Sequence, residues 1–201
     1  MKKLIGGLFA ITSLFLLTAC DAGVAAQIGD TKISQNTVQS RVSEILSERG
    51  NYQTSEMQLS YGEELNRAEL RFLVIATIFQ KLAEENSIKV TKAMVDTRKR
   101  EILEQLGSME QLSQALVSAQ LAPSDFDSYV KSILISEQLS ELARAGGATE
   151  ENVGAVIQNL VRELTGKIGI KINPQYGTWD SQAADLIAFD AAGTAVKPLL
   201  P

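Results

Sequence analysis

The chain has 201 residues with 19 basic and 24 acidic side chains, a formal charge of −5, one cysteine and no histidine. The missing histidine removes Ser-His-Asp and Cys-His nucleophiles and the commonest general base and metal ligand, and the acidic balance disfavours nucleic acid, whose binding rests on basic contacts to phosphate. With one cysteine no internal disulfide is possible, so stability must come from packing.

The first residues read as an address. Lys2 and Lys3 precede the 14-residue apolar run Leu4–Leu17, which is too short for an ordinary membrane span of about 20 residues. The run ends in Leu17-Thr18-Ala19-Cys20, which resembles the lipobox of bacterial lipoproteins. That resemblance implies cleavage after residue 19, lipidation of Cys20 (palmitate among the acyl groups) and attachment to the extracytoplasmic face of a membrane. The 19 basic residues less the two leader lysines leave 17 against 24 acidic, a formal charge of −7.

Asp21–Ala26 is a short tether. In Ala25–Ile33 the Gly29-Asp30 turn separates two extended pieces flanked by Ile28 and Ile33. Ser34 is an N-cap for a helix over Gln35–Glu48, with Val38, Val42, Ile45 and Leu46 as its apolar stripe and Gly50-Asn51 as its stop. Asn51–Gly62 is a polar connection carrying Met57, Leu59 and Tyr61.

Glu63–Glu85 is the central helix. Leu65, Ala68, Phe72, Ile75, Phe79 and Leu82 recur at helical spacing, and Leu70, Leu73, Val74, Ile78 and Ala83 spread apolar character to other faces. Thr91 caps Lys92–Leu106, which Gly107 ends. Ser108 caps a segment to Gln120, Ala122-Pro123 breaks the chain, and Ser124 caps Asp125–Ala145. Gly146-Gly147 makes a turn, and Thr149 caps a helix through about Leu164, with Glu150 and Glu151 in its positive first turn. Lys167–Asn173 then alternates, with Ile168, Ile170 and Ile172 on one face of a strand. Gln175–Asp180 sets Tyr176 beside Trp179, read as fasteners of the closing strand or as anchors for a partner. Ser181–Pro201 is a small, polar tail.

A lone strand leaves backbone groups unpaired, so the strands near the two ends should pair with each other. The fold class is mostly α: a multi-helix body with short N- and C-terminal strands joined in a small sheet. Adjacent acids such as Glu84-Glu85 and Glu150-Glu151 splay about 100° apart on a helix and do not converge on a reacting atom. The chain therefore reads as no enzyme, with no metal and no cofactor.

Three landmarks in order carry a family resemblance. AAQIGDTKISQNTVQSRV resembles the start of the SurA/PrsA-type chaperone-foldase N-terminal domain (trigger factor/SurA peptide-binding-like), a "V-N-G-x-x-I" turn before a capped helix, here without the usual Asn before Gly29. LRFLVIATIFQKLAEENSIKVTKAMVDTRKREI is similar to the family's long helix running into "A-x-x-x-x-I-x-V-T-x-x-x-V", matched by Ala83, Ile88, Val90, Thr91 and Val95. KINPQYGTWD looks like the closing strand of lipoprotein members. The resemblance spans roughly Ala25–Asp180 and departs from the isomerase members in having no parvulin domain between the helix ending at Ala145 and the helix after Thr149.

The division expected is a lipoprotein signal peptide over 1–19, a SurA N-terminal-like helical body over 20–180 and a flexible tail over 181–201. The resemblance implies a membrane-anchored chaperone that holds unfolded or secreted polypeptides, without isomerase activity. Such a holdase needs an adaptable apolar surface, for which Met57, Met94, Met109, Phe126 and Tyr129 are the candidate client-binding side chains. The alternative is an envelope assembly lipoprotein that binds one dedicated protein partner.

Overall fold

The computed structural model describes residues Gly23–Phe189. The leader, Cys20 and the end of the tail lie outside the described residues. The element order is β1 (Val24–Ile28), β2 (Thr31–Ser34), α1 (Gln35–Arg49), α2 (Gly62–Glu85), α3 (Lys92–Leu106), α4 (Met109–Ala119), a 3-10 turn (Pro123–Asp125), α5 (Phe126–Ala145), α6 (Val153–Ile168), β3 (Ile170–Ile172), a second 3-10 turn (Pro174–Tyr176), β4 (Thr178–Asp180) and β5 (Asp185–Ile187).

The two ends of the chain meet as the unpaired strands require. β1 pairs antiparallel with β2 through the Gly29-Asp30 turn, and its other edge pairs antiparallel with β3, giving the order β2-β1-β3. Ala26 lies opposite Ile172 and Ile28 opposite Ile170. The closure extends past the strand ends, where Gly29 N–H donates to Gly169 O at 3.0 Å and Asn173 N–H to Ala25 O at 2.8 Å. Ala25, Ala26 and Ile28 are buried beneath the helices, so the small sheet forms one wall of the core.

The helix termini follow their caps. Ser34, Thr91 and Ser108 side chains accept from the backbone N–H groups of Thr37, Met94 and Gln111, satisfying donors that the first turn leaves open. α2 is the hub: it packs on α1, α5, α6 and the sheet. Leu70, Val74 and Ile78 are its most deeply buried side chains, with Leu65 and Leu82 close behind. They join Ile45, Ile135 and Leu139 in the main core, and Tyr176 is buried there with Trp179 packed against it. A second cluster of Val95, Leu112, Leu121, Phe126, Val130 and Leu134 joins α3, α4 and α5.

The structure refines one local reading and corrects three. Along the stripe Leu65-Ala68-Phe72-Ile75-Phe79-Leu82 only the two end residues are deeply buried; Ala68 is exposed, and Phe72, Ile75 and Phe79 are half-buried. Helical period shows that a face is apolar, but not whether a neighbour covers it.

Ser124 does not cap α5. Pro123 starts a 3-10 turn that leads directly into the helix, and the Ser124 hydroxyl bonds Glu44 instead.

Thr149 is not the cap of α6 either. The helix begins at Val153 after Asn152, whose Oδ1 accepts from Thr149 N–H at 2.8 Å, and Glu150 pairs with Arg144 of α5.

Finally, α6 runs on through Lys167 and Ile168, and the strand starts only at Ile170. Leu164 and Ile168, four residues apart, satisfy helical spacing as well as alternation, and Gly169 with φ 74° makes the break.

The stretch after 180 contributes β5, which pairs with β4 and places Leu186 opposite Trp179. The pair is tight at Gly177, just before β4, where an added Cβ would stand 2.1 Å from the Ile187 carbonyl oxygen.

Candidate functional site

Two open clefts flank Tyr129. The first, about 460 Å³, lies between α2, the end of α4, the start of α5 and the residues leading into β5. Its apolar walls are Ala68, Phe72 and Ile75 of α2 with Leu121 opposite. The uncovered stretch of the α2 stripe is thus the floor of a groove. The second cleft, about 420 Å³, lies between α3, α4 and α5 and is lined by Ile102, Leu106, Leu116, Phe126 and Ile133 among others. Ala119, Leu121 and Tyr129 belong to both. Tyr129 is 42% exposed and stands on the divide.

The candidate side chains fall around this pair of clefts in different ways. Phe126 and Tyr129 come together, Phe126 as a buried wall of the second cleft and Tyr129 as its exposed edge. Met94 lines an adjoining depression of about 350 Å³ with Ala93 and Leu134, which shares Arg98 and Glu101 with the second cleft. Met57 is half-buried before α2, with the Ser118 hydroxyl of α4 4.0 Å from its sulfur. Met109 is 62% exposed at the start of α4, outside the walls of these clefts.

The scaffold around the clefts is held by polar cross-links. Arg49 at the end of α1 is buried, and its guanidinium donates to Ser60 O and to Gln120 Oε1, both at 2.8 Å. Gln120 Oε1 also accepts from Ser60 N–H at 2.6 Å, so one side chain fastens α1, the 51–61 connection and the end of α4. On the second cleft, Arg98 of α3 grips Glu137 of α5 with two bonds of 2.7 and 2.8 Å. At the mouth of the first, Arg71 of α2 pairs with Asp185 of β5.

Behind the first cleft lies a buried acid pair that sequence reading missed, and its glutamate forms part of the cleft wall. Glu69 of α2 is 2% exposed and Asp125 is likewise buried. Arg41 of α1 lies with Nε 3.0 Å from Asp125 Oδ1 and Nη1 3.0 Å from Glu44 Oε1. Burial, the neighbouring Asp125 carboxylate and a hydrogen bond with it push the Glu69 carboxyl up to about 8, opposed by Arg41. Burial also raises Asp125, although Arg41 and the bond from Glu69 pull it down. Burial would raise Glu44 as well, but bonds from Ser124 and Arg41 hold it below the ordinary glutamate value. Glu69 therefore holds a proton at neutral pH and can donate it towards Asp125. The available signal was Glu69's position four residues after Leu65, in phase with a buried side chain.

Among the described residues no three His, Cys, Asp or Glu side chains gather as a metal site, and no helix is long and apolar enough to cross a membrane. No curated protein and no solved structure matches the chain. A family model, the SurA-like N-terminal domain, matches residues 4–140, ending within α5. That match covers more than half of the sequence, and the helical body closed by an N- and C-terminal sheet agrees with it. The chain belongs to the SurA-like N-terminal domain family, whose fold is of the extracytoplasmic, chaperone type.

Proposed function

We propose that this protein is a lipid-anchored holdase on the extracytoplasmic face of a membrane, binding unfolded or newly secreted polypeptides without isomerising prolines. The observation that carries the reading is the pair of adjoining apolar clefts divided by the exposed Tyr129. An unfolded segment offers apolar side chains at irregular intervals, and two shallow grooves joined at one aromatic can take them in more than one register. Family membership supports it, since SurA-like domains bind unfolded polypeptides. Met94, in the depression adjoining the second cleft, would add adaptable contact, and the Leu17-Thr18-Ala19-Cys20 motif is the basis for the anchor at Cys20.

The test is suppression of aggregation. Several unrelated, chemically unfolded secreted proteins are diluted into the soluble form that starts at Asp21, and light scattering is compared with an inert protein control. Suppression of several clients supports the holdase. Suppression of none contradicts it and favours the reading of one dedicated envelope partner. For the anchor, Cys20→Ser should move the protein from the membrane fraction to the soluble fraction of cells.

A further inference from the structure

Three carboxyls gather around one guanidinium where α1, α2 and the start of α5 meet. Glu69 comes from α2, Asp125 from the turn into α5, and Glu44 and Arg41 from α1. Of these, Glu69 forms part of the wall of the first cleft. Arg71 of α2 and Asp185 of β5 face the same cleft but pair with each other, so their charges cancel. Tyr129 of α5 and Gln120, just past the end of α4, are the other polar walls.

With every acid ionised, four carboxylates would meet two guanidiniums. Glu69 Oε1 and Asp125 Oδ2 are buried, and among the described residues no other group donates to them. A proton shared between the two carboxyls meets that need when the cleft is empty, and Glu69, which lines the cleft, is the carboxyl that a cation entering there would reach. The surrounding walls, Phe72, Ile75 and Leu121, suit the apolar stem and neighbours of such a cation.

We propose that the first cleft selects a basic side chain, lysine or arginine, within an otherwise apolar client segment, and that this cation displaces the proton held between Glu69 and Asp125. The inference rests on the holdase reading. The step is an exchange: the client's cation enters already charged, the Glu69 carboxyl ionises, and one proton leaves to solvent. Basic segments are therefore favoured at alkaline pH and lose their advantage in acid. Because Glu69 holds its proton up to about 8, each pH unit below that weakens a lysine-bearing segment by up to tenfold relative to a neutral one.

The experiment measures fluorescence anisotropy of the full chain with two labelled apolar peptides, one carrying a central lysine and the other norleucine in its place. The lysine peptide should bind at least about tenfold more tightly than its partner near pH 8.5, and the difference should collapse near pH 6. Calorimetry in two buffers of unlike ionisation enthalpy should show about one proton released for the lysine peptide and none for the norleucine one. Glu69→Gln should lose both the lysine preference and its pH dependence. Should that variant fail to fold, the peptide pair on the unaltered chain still decides. A lysine preference that ignores pH, or one that persists in Glu69→Gln, overturns the proposal, as does equal binding of both peptides at both pH values. That last result leaves the holdase standing; binding of neither peptide overturns the holdase reading and this inference with it.

Discussion

Replacing Glu69 by glutamine should remove most of the pH dependence of folding stability between about pH 5 and pH 8. The native carboxyl keeps its proton up to about 8, against 4.5 for an ordinary glutamate. In that interval the unfolded chain has released the proton and the folded chain still holds it. The folded state therefore binds more protons, and stability falls as pH rises, approaching a tenfold change in the folding equilibrium per unit. From pH 5 to pH 7 the loss is about 2–3 kcal/mol, a large share of the 5–15 kcal/mol typical of a domain. Glutamine has nearly the same shape and no charge to bury, and its amide can donate to Asp125 as the protonated carboxyl does. Urea unfolding followed by circular dichroism at several pH values should give two curves that nearly coincide near pH 5 and diverge as pH rises, with Glu69→Gln the more stable. Parallel curves would refute the assignment of a proton to Glu69.

Gly177→Ala should destabilise the fold by about 2 kcal/mol or more, read as a lower urea midpoint. Its φ is 130° and the new Cβ would fall 2.1 Å from the Ile187 carbonyl oxygen, so β4 and β5 could not keep their pairing. Gln120→Ala should cost about 1–3 kcal/mol in the same assay, because the buried Arg49 guanidinium and Ser60 N–H lose their shared acceptor. Tyr129→Ser should change stability by less than about 1 kcal/mol, since the ring is 42% exposed, yet weaken suppression of client aggregation severalfold.

The parts of this fold that the sequence announces are those decided locally. α3 begins and ends where Thr91 and Gly107 place it, because a capping hydroxyl and a left-handed C-cap act within one turn. The closure of β1 by β3 follows from the same kind of argument, since two lone strands at opposite ends have few other partners. Elsewhere two rules agree on different answers. Leu164 and Ile168 fit a helix and Ile168 and Ile170 fit a strand, and only the backbone break at Gly169 separates them. Ser124 looks like a cap by composition, but Pro123 is already inside the turn and Glu44, eighty positions away, takes the hydroxyl.

The candidate site was legible only in part for a related reason. Phe126 and Tyr129, three positions apart on one helix, share a cleft as local spacing allows. Met57, Met94 and Met109 were chosen for side-chain chemistry, and their positions depend on how α3 and α4 lean on α5, which no local pattern encodes. Arg41, Glu44, Glu69 and Asp125 are drawn from three segments, and a glutamate between Ala68 and Leu70 looks like any solvent-facing charge until the helices pack around it.

The central claim is that unfolded chains bind in the clefts around Tyr129, and site-specific photo-crosslinking tests it most directly. A photoreactive amino acid is placed in turn at Tyr129, at Ile75 in the first cleft, at Ile133 in the second, and at Lys171, exposed on β3 and outside both. With several unrelated unfolded clients, strong adducts at 129, 75 and 133 and weak ones at 171 are the predicted result. Equal labelling at all four positions, or adducts at 171 alone, would contradict it.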